Sequence, residues 1–482
     1  MLFQFSLLLW LATTVIAWDH HKSVIVLIPD GLGPVHATLA REVARVKYNV
    51  TDLHYKLAFD AHITGTLQTK SANRLVTDSA AAGTALATGF NTNNGFIGIN
   101  ADETAVATVL EGARALGYNT GLVTTTRITH ATPASFAAHV RDRDNEASIA
   151  QQYLGEGPLG RQVDLLWGGG RGFFLPQSTS GSSRKDERNL IEEAKGAGYT
   201  YLANTDDLKA YKSKTKSHLS RRTGAHLPSL GLFTRSHMSY EIDRNATVEP
   251  SLADMATGAL DALNDKPFFL MVEGGRIDHA AHANDAPTTF YDVMAYEEMY
   301  RNVIEWVDAQ EHPDKYVVLA MADHDTGGAV LPSNWEPKGI LNATNSVEYL
   351  NTWVNTQVAN ISDTDAVKLI NDEVLVKRLG LAPFTDTNIA EELLDKVRNN
   401  TQITGNLANL TNFYSGLVWG TGGHSEVDVN VGTYPYNKEF SGNHANVFVA
   451  QFIQKLLGLD LDPIHKKLET LDLGGLSTAA DE

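Results

Sequence analysis

Val76-Thr-Asp-Ser-Ala-Ala-Ala-Gly-Thr-Ala-Leu-Ala-Thr-Gly89 sets a carboxylate and a hydroxyl, Asp78 and Ser79, before a run of small residues. A Ser/Asp pair ahead of Ala, Gly and Thr predicts a helix start with Ser79 in its first turn. Unpaired backbone N–H groups and the helix dipole gather positive charge there. A hydroxyl in that field suits attack on a phosphate, which the same N–H groups would hold. Taken alone, the stretch reads first as an ordinary N-cap on a tightly packed helix.

Other segments carry metal-ligand types. Gly274-Gly-Arg-Ile-Asp-His-Ala-Ala-His282 places Asp278 and His282 four residues apart, on one face of a helix. Hard oxygen beside imidazole nitrogen suits zinc, although an exposed helix with incidental histidines has the same spacing. Asp323-His324 offers the same two donors at the end of an apolar run, where a turn can aim both at one ion. His424 sits in the Gly-rich Trp419-Gly-Thr-Gly-Gly-His-Ser-Glu426, where a single histidine is usually a surface residue. Ala131-Thr132-Pro-Ala brings a further hydroxyl, and Arg141 and Arg143 follow it. Arginine clamps phosphate through two parallel hydrogen bonds, while an exposed ion pair is the usual role in such a charged run.

Four apolar runs must position these residues. Ser23-Val-Ile-Val-Leu-Ile-Pro-Asp30, Asn119–Thr126, Lys266–Glu273 and Tyr316–His324 each read as a strand buried on both faces. Three end in the carboxylates Asp30, Glu273 and Asp323, and the fourth leads to His130 and Thr132. Helical patterns lie between them, at Thr104–Leu116 and Met255–Leu263 among others. The alternation predicts an α/β fold: a doubly wound, mostly parallel sheet with helices on both faces and its ligands beyond the strand ends. Residues 175–225, rich in Ser, Lys and Arg, read as an exposed loop. The stretch from Asp325 to about Trp419 lacks buried-strand runs and reads as an insertion between two site segments, a crown on a single domain spanning 18–482.

The formal net charge of −18 across 482 residues disfavours nucleic acid as a partner, so a phosphate site here must carry its own local positive charge. With no cysteine there is no disulfide, thiolate metal site or Cys nucleophile. Residues 1–17 are apolar and uncharged and end in Val-Ile-Ala, which predicts a cleaved secretory signal, with a short membrane anchor as the other reading. No stable membrane span is expected after cleavage. Six Asn-x-Ser/Thr sequons, at Asn49, Asn245, Asn342, Asn360, Asn399 and Asn409, agree with passage through the secretory pathway, ending outside the cell or in a vacuole.

Together, Ile28-Pro-Asp-Gly-Leu-Gly33, Val76–Gly83, Ala131-Thr-Pro-Ala134, Val272-Glu-Gly-Gly-Arg-Ile-Asp278 with His282, Ala322-Asp-His324 and Gly422-Gly-His424 resemble the alkaline phosphatase family, in its order and across most of the chain. The resemblance implies two zinc ions and one magnesium ion. One zinc would take Asp278, His282 and His424; the other Asp30, Asp323 and His324, with Ser79 as nucleophile. Magnesium would take Asp30, Thr132 and Glu273, with His130 nearby, where bacterial members tend to have Asp. Arg143, oriented by Asp78, falls at the phosphate-binding arginine. The resemblance implies hydrolysis of small phosphate monoesters through a phosphoserine, by a homodimer. Leu230–Glu241 resembles the eukaryotic branch, but Thr234 stands where a calcium site there would need a carboxylate. A sulfatase would need a Ser-x-Pro-x-Arg nucleophile motif in a Cys-free chain, and none is present. A phosphodiesterase has no need of an arginine clamp on a doubly charged group, and a non-catalytic relative would have lost a ligand or the nucleophile.

Overall fold

The four apolar runs become neighbouring strands. In the computed structural model, which describes residues 22–215, 226–381 and 387–473, β1 (Ser23–Ile28) lies between β7 (Phe268–Glu273) and β8 (Tyr316–Met321), and β3 (Asn119–Arg127) lies beyond β7. Almost every side chain of β1, β7 and β8 is buried, which is why these strands read as continuous apolar runs rather than alternating ones. The remaining strands of the large sheet are β2 (Ile63–Gln68), β4 (Leu165–Gly169), β5 (Thr200–Leu202), β6 (Ser229–Leu232), β13 (Val429–Tyr434) and β14 (Gly442–Ala445). Two small ribbons use β9 (Asp325–Thr326) with β12 (His424–Ser425), and β10 (Ala329–Val330) with β11 (Val418–Trp419). The ten-stranded order is β14-β2-β13-β8-β1-β7-β3-β4-β6-β5. Both pairings of β13 are antiparallel and all others in this sheet are parallel.

This order sets the site. Because β8, β1, β7 and β3 are adjacent and parallel, Asp323, Asp30, Glu273 and His130 leave the sheet side by side at its carboxyl edge. Glu273 is in register with Ile28 on one side and Thr124 on the other. Gly31 then turns the chain at φ 74°, and a Cβ there would meet the Asp278 Cα at 2.8 Å. Gly31→Ala is therefore expected to cost about 1–2 kcal/mol in backbone strain alone and to push Asp278 off its position. Thermal melting and activity together check this: kcat should fall further than the loss of stability explains.

Three stretches differ from expectation. The helix expected over Thr104–Leu116 begins only after Thr108, which forms a capping box with Glu111 and so halts it there; the residues before it are extended, with a bridge between Ile99 and Ala105. The helix expected at Met255 starts earlier, at Leu252, behind a Ser251 cap. Residues 175–225 are not simply a loop. They hold the helices Leu190–Gly196 and Thr205–Thr215 and edge strand β5, whose Leu190, Leu202, Leu208 and Tyr211 are buried; residues 216–225 lie outside the described residues. Sparse apolar anchors in a polar stretch gave these elements too weak a periodicity to stand out.

Between β10 and β11 the chain forms helices that include Val347–Val358, Asp363–Leu369, Thr387–Arg398 and Thr404–Ser415, gathered on their own buried cluster of Leu350, Val354, Ile370, Leu393 and Leu407. The two ribbons join the ends of this stretch, so His424 is in register with Thr326, two residues from His324. Among the described residues no helix is long and apolar enough to cross a membrane. The leader at 1–17 lies outside the described residues.

Candidate active site

Ser79 is the first residue of the buried helix Ser79–Thr88, and Asp78 is its N-cap, accepting from the Ala81 N–H at 2.9 Å. The cap and nucleophile readings of this stretch thus coexist, because the cap falls to Asp78 and leaves the Ser79 hydroxyl available. The Ser79 Oγ lies 3.1 Å from His324 Nε2. The second Asp78 oxygen accepts from the Gly95 N–H at 2.9 Å and from Arg143 Nη1 at 3.0 Å. Arg143 Nη2 reaches His130 Nε2 at 3.2 Å. Arg141 points elsewhere, pairing with Glu103 at 3.0 Å.

His324 Nε2 also lies 3.2 Å from Asp323 Oδ2 and 3.7 Å from Asp30 Oδ1. Asp323 Oδ1 accepts from the Gly31 and His324 backbone N–H groups, whereas Oδ2 has no hydrogen-bond partner. The short helix Arg276–His282 brings Asp278 and His282 onto one face, with His282 Nε2 3.4 Å from Asp278 Oδ2. His424 Nε2 lies 3.5 Å from Asp278 Oδ1 and 3.0 Å from His282 Nε2. Each of these imidazoles donates from Nδ1 to a backbone carbonyl, His282 to Gly422 at 2.7 Å and His424 to Thr77 at 2.8 Å. Their Nε2 atoms therefore face each other and the Asp278 carboxylate, as N–H donors to it while the rings are protonated and as lone pairs for a cation once they are not. Thr132 Oγ1 is 3.4 Å from Asp30 Oδ2, and Glu273 Oε2 accepts from Thr124 and Thr126 hydroxyls.

These groups do not satisfy one another. Asp30 Oδ1, Asp323 Oδ2, Glu273 Oε1 and His130 Nδ1 are shut off from solvent without a hydrogen-bond partner. Burial, then the neighbouring Asp323, Asp278 and Glu273 charges, pushes Asp30 well above the usual carboxylate range. Burial pushes Asp323 up to about 7, and also raises Glu273. Burial pushes the same way on Asp278, but hydrogen bonds from His282 and His424 outweigh it and hold that carboxyl well below its ordinary value. Burial holds His324 neutral, far below the usual imidazole range. Four buried carboxylates beside imidazole lone pairs are a set that divalent cations complete, and the donor types fit them. Among the described residues three groups have ligand atoms close enough to hold an ion: Asp278–His282–His424 and Asp30–Asp278–His324, which share Asp278, and His130–His237–His279.

Sequence reasoning missed several neighbours. Thr124, Thr126 and Thr326 support Glu273 and Asp278 through their hydroxyls. Thr124 and Thr126 alternate at the end of a strand, so their shared face was a usable signal. His237 and His279 stand beside His130, and nothing local marks His237. Thr234 donates its hydroxyl to the Ser236 carbonyl at 2.8 Å.

Fold and site together define an α/β protein whose candidate catalytic groups and metal ligands project from the carboxyl edge of a mostly parallel sheet. The family profile of alkaline phosphatase matches residues 21–459. The repressible alkaline phosphatase of Saccharomyces cerevisiae is 39% identical, the match covering 92% of this chain and 82% of that one. Alkaline phosphatase 3 of Bacillus subtilis is 35% identical, covering 91% and 89%. The crystal structure of Thermus thermophilus alkaline phosphatase superposes with a TM-score of 0.75 at 27% identity, covering 92% and 94%. The chain belongs to the alkaline phosphatase family, and it is a hydrolase of that class.

Proposed function

We propose that the protein hydrolyses phosphate monoesters in two displacements at Ser79. The observation that carries this reading is the placing of the Ser79 hydroxyl at a helix N-terminus, 3.1 Å from His324 Nε2 and on the residue next to the Arg143 anchor, Asp78. Asp278, His282 and His424 would hold one zinc ion, Asp30, Asp323 and His324 a second, and Asp30, Thr132 and Glu273 a magnesium ion. When bound, these ions supply the positive charge that acidifies the serine hydroxyl and water and neutralises the phosphate.

In the first displacement the Ser79 Oγ forms a bond to phosphorus and the P–O bond to the alcohol breaks. In the second, water attacks the phosphoserine, and Ser79 Oγ leaves with phosphate released. The N–H groups at the start of the Ser79 helix face the transferring anion through both steps. Arg143 has five N–H donors, of which Asp78 and His130 orient the two terminal nitrogens; the guanidinium spreads its charge over the equatorial oxygens. His130 stays neutral, since burial and the adjacent Arg143 charge hold it well below the ordinary imidazole range.

The chain is read as one catalytic domain crowned by the insertion at about 325–419. The apolar leader and the sequons support passage through the secretory pathway as a glycoprotein, and the family supports a homodimer. Comparing an aryl phosphate monoester with its diester tests the activity: the monoester should be strongly preferred. Arg143→Ala should lower kcat/KM for the monoester about 100-fold or more and narrow that preference. A wild-type preference for the diester would overturn the reading.

A further inference from the structure

The group Asp278–His282–His424 draws two of its members from one short helix and the third from a loop 142 residues further along the chain. That loop, Trp419-Gly-Thr-Gly-Gly-His424, holds three glycines and is largely exposed, so fixing its backbone costs more entropy than fixing an ordinary loop. It buries little that could offset the cost, and hydrogen bonds must hold it. On one side they come from Gly327: the Gly420 N–H donates to the Gly327 carbonyl at 3.0 Å, and the Gly327 N–H donates to the Gly423 carbonyl at 2.8 Å. These bonds tie the loop to the segment after Asp323 and His324. They do not tie it to the helix of Asp278 and His282.

Asn284 makes that second tie. It follows the helix Arg276–His282 in left-handed backbone at φ 52°, a conformation that asparagine adopts more readily than most residues. Two carbonyl oxygens face its side chain, so the amide turns its nitrogen toward them and donates to both, to Ala281 at 2.9 Å and to Thr421 at 3.0 Å. The first acceptor belongs to the helix of His282 and the second to the loop of His424. The adjacent Gly422 carbonyl accepts from His282 Nδ1 at 2.7 Å, so helix and loop are joined at two successive peptide groups. From the insertion, the buried Asn412 donates to the Asn284 carbonyl at 2.9 Å and accepts from Trp419 Nε1 at 3.0 Å. It thus grips both Asn284 and the start of the loop.

We infer that Asn284 is a positioning residue, which sets the affinity of Asp278, His282 and His424 for their zinc by locking the His424 loop against the His282 helix. This rests on the two-zinc reading and adds to it a difference between the sites. Asp30, Asp323 and His324 follow adjacent strands of the large sheet, so their site does not depend on Asn284.

The test is stepwise withdrawal of zinc from the holoenzyme by a competing chromogenic chelator, with thermal melting measured alongside. Asn284→Gly keeps the left-handed backbone free of strain and deletes only the amide. One zinc equivalent should then bind about 10–100-fold more weakly, as loss of the hydrogen bonds that orient a ligand implies. The other equivalent should be unchanged, and kcat should return at saturating zinc. In His424→Ala the positioned ligand is already gone, so adding Asn284→Gly should weaken zinc no further. Equal weakening of both zincs, a lower Tm with both affinities unchanged, or an additive loss in the double variant would show a role in the fold alone and overturn the inference. A wild-type protein that takes up no zinc overturns the parent reading with it, whereas a wild type that binds two zincs as firmly as its Asn284→Gly variant overturns the positioning role alone.

Discussion

Ser79→Ala is expected to yield a folded, fully metallated protein whose kcat on an aryl monophosphate is lower by at least about 10⁴-fold. The substitution removes one oxygen atom. Stability should change little, because alanine is the best helix former and the helix cap belongs to Asp78. The carboxylates and imidazoles around the position are untouched, and their backbone partners hold them: Gly31 for Asp323, Gly422 for His282 and Thr77 for His424. Activity and bound metal should therefore separate. Measured together, turnover and metal stoichiometry decide the matter. A variant that retains full activity sinks the serine mechanism, and one that loses its metals along with activity shows that the hydroxyl supports the site rather than reacting.

Metal removal is the second large effect. Chelation should abolish turnover, lower Tm by something of order 10 °C, and be reversed by zinc plus magnesium but not by magnesium alone. The cause lies in Asp30, Glu273 and Asp323, which are buried next to one another with too little positive charge to pair them. Without cations they are ionised only at a cost. For Asp323 the unfolded chain releases its proton near 3.8 and the metal-free fold near about 7, so the fold binds more protons in between. Stability of the metal-free protein therefore falls as pH rises through that window, and Asp30 adds to it in the same direction. Bound cations keep the carboxylates ionised and remove this loss. The Tm gap between metallated and stripped protein should widen from pH 5 to pH 8. A gap that is constant or narrows with pH would mean that something other than these carboxylates answers to the metals.

The site was legible in unequal parts. Asp30, Glu273 and Asp323-His324 could be read because each closes an apolar run, and a buried parallel strand delivers whatever follows it to one edge of the sheet. Asp278 and His282 could be read from helical spacing, and the helix Arg276–His282 places them together. His424 could not be placed locally. Its loop carries no periodic signal, and it arrives because β12 pairs with β9 and its Nδ1 finds the Thr77 carbonyl, partners about 100 and 347 residues away. Residues 175–225 misled because edge elements bury few side chains.

By itself, then, the sequence determined residue types, local periodicity and the capping of helices: an α/β chain with carboxylates at strand ends, a hydroxyl at a helix start, and motifs in the order of one family. These depend on interactions within a few residues, which the local chain specifies. The tertiary structure alone decided which strands are neighbours and that His237 joins His130 and His279. Those outcomes depend on the burial of whole faces between segments far apart in the chain. Local pattern does not encode them, because many pairings of equally apolar strands satisfy it until one of them fills the core.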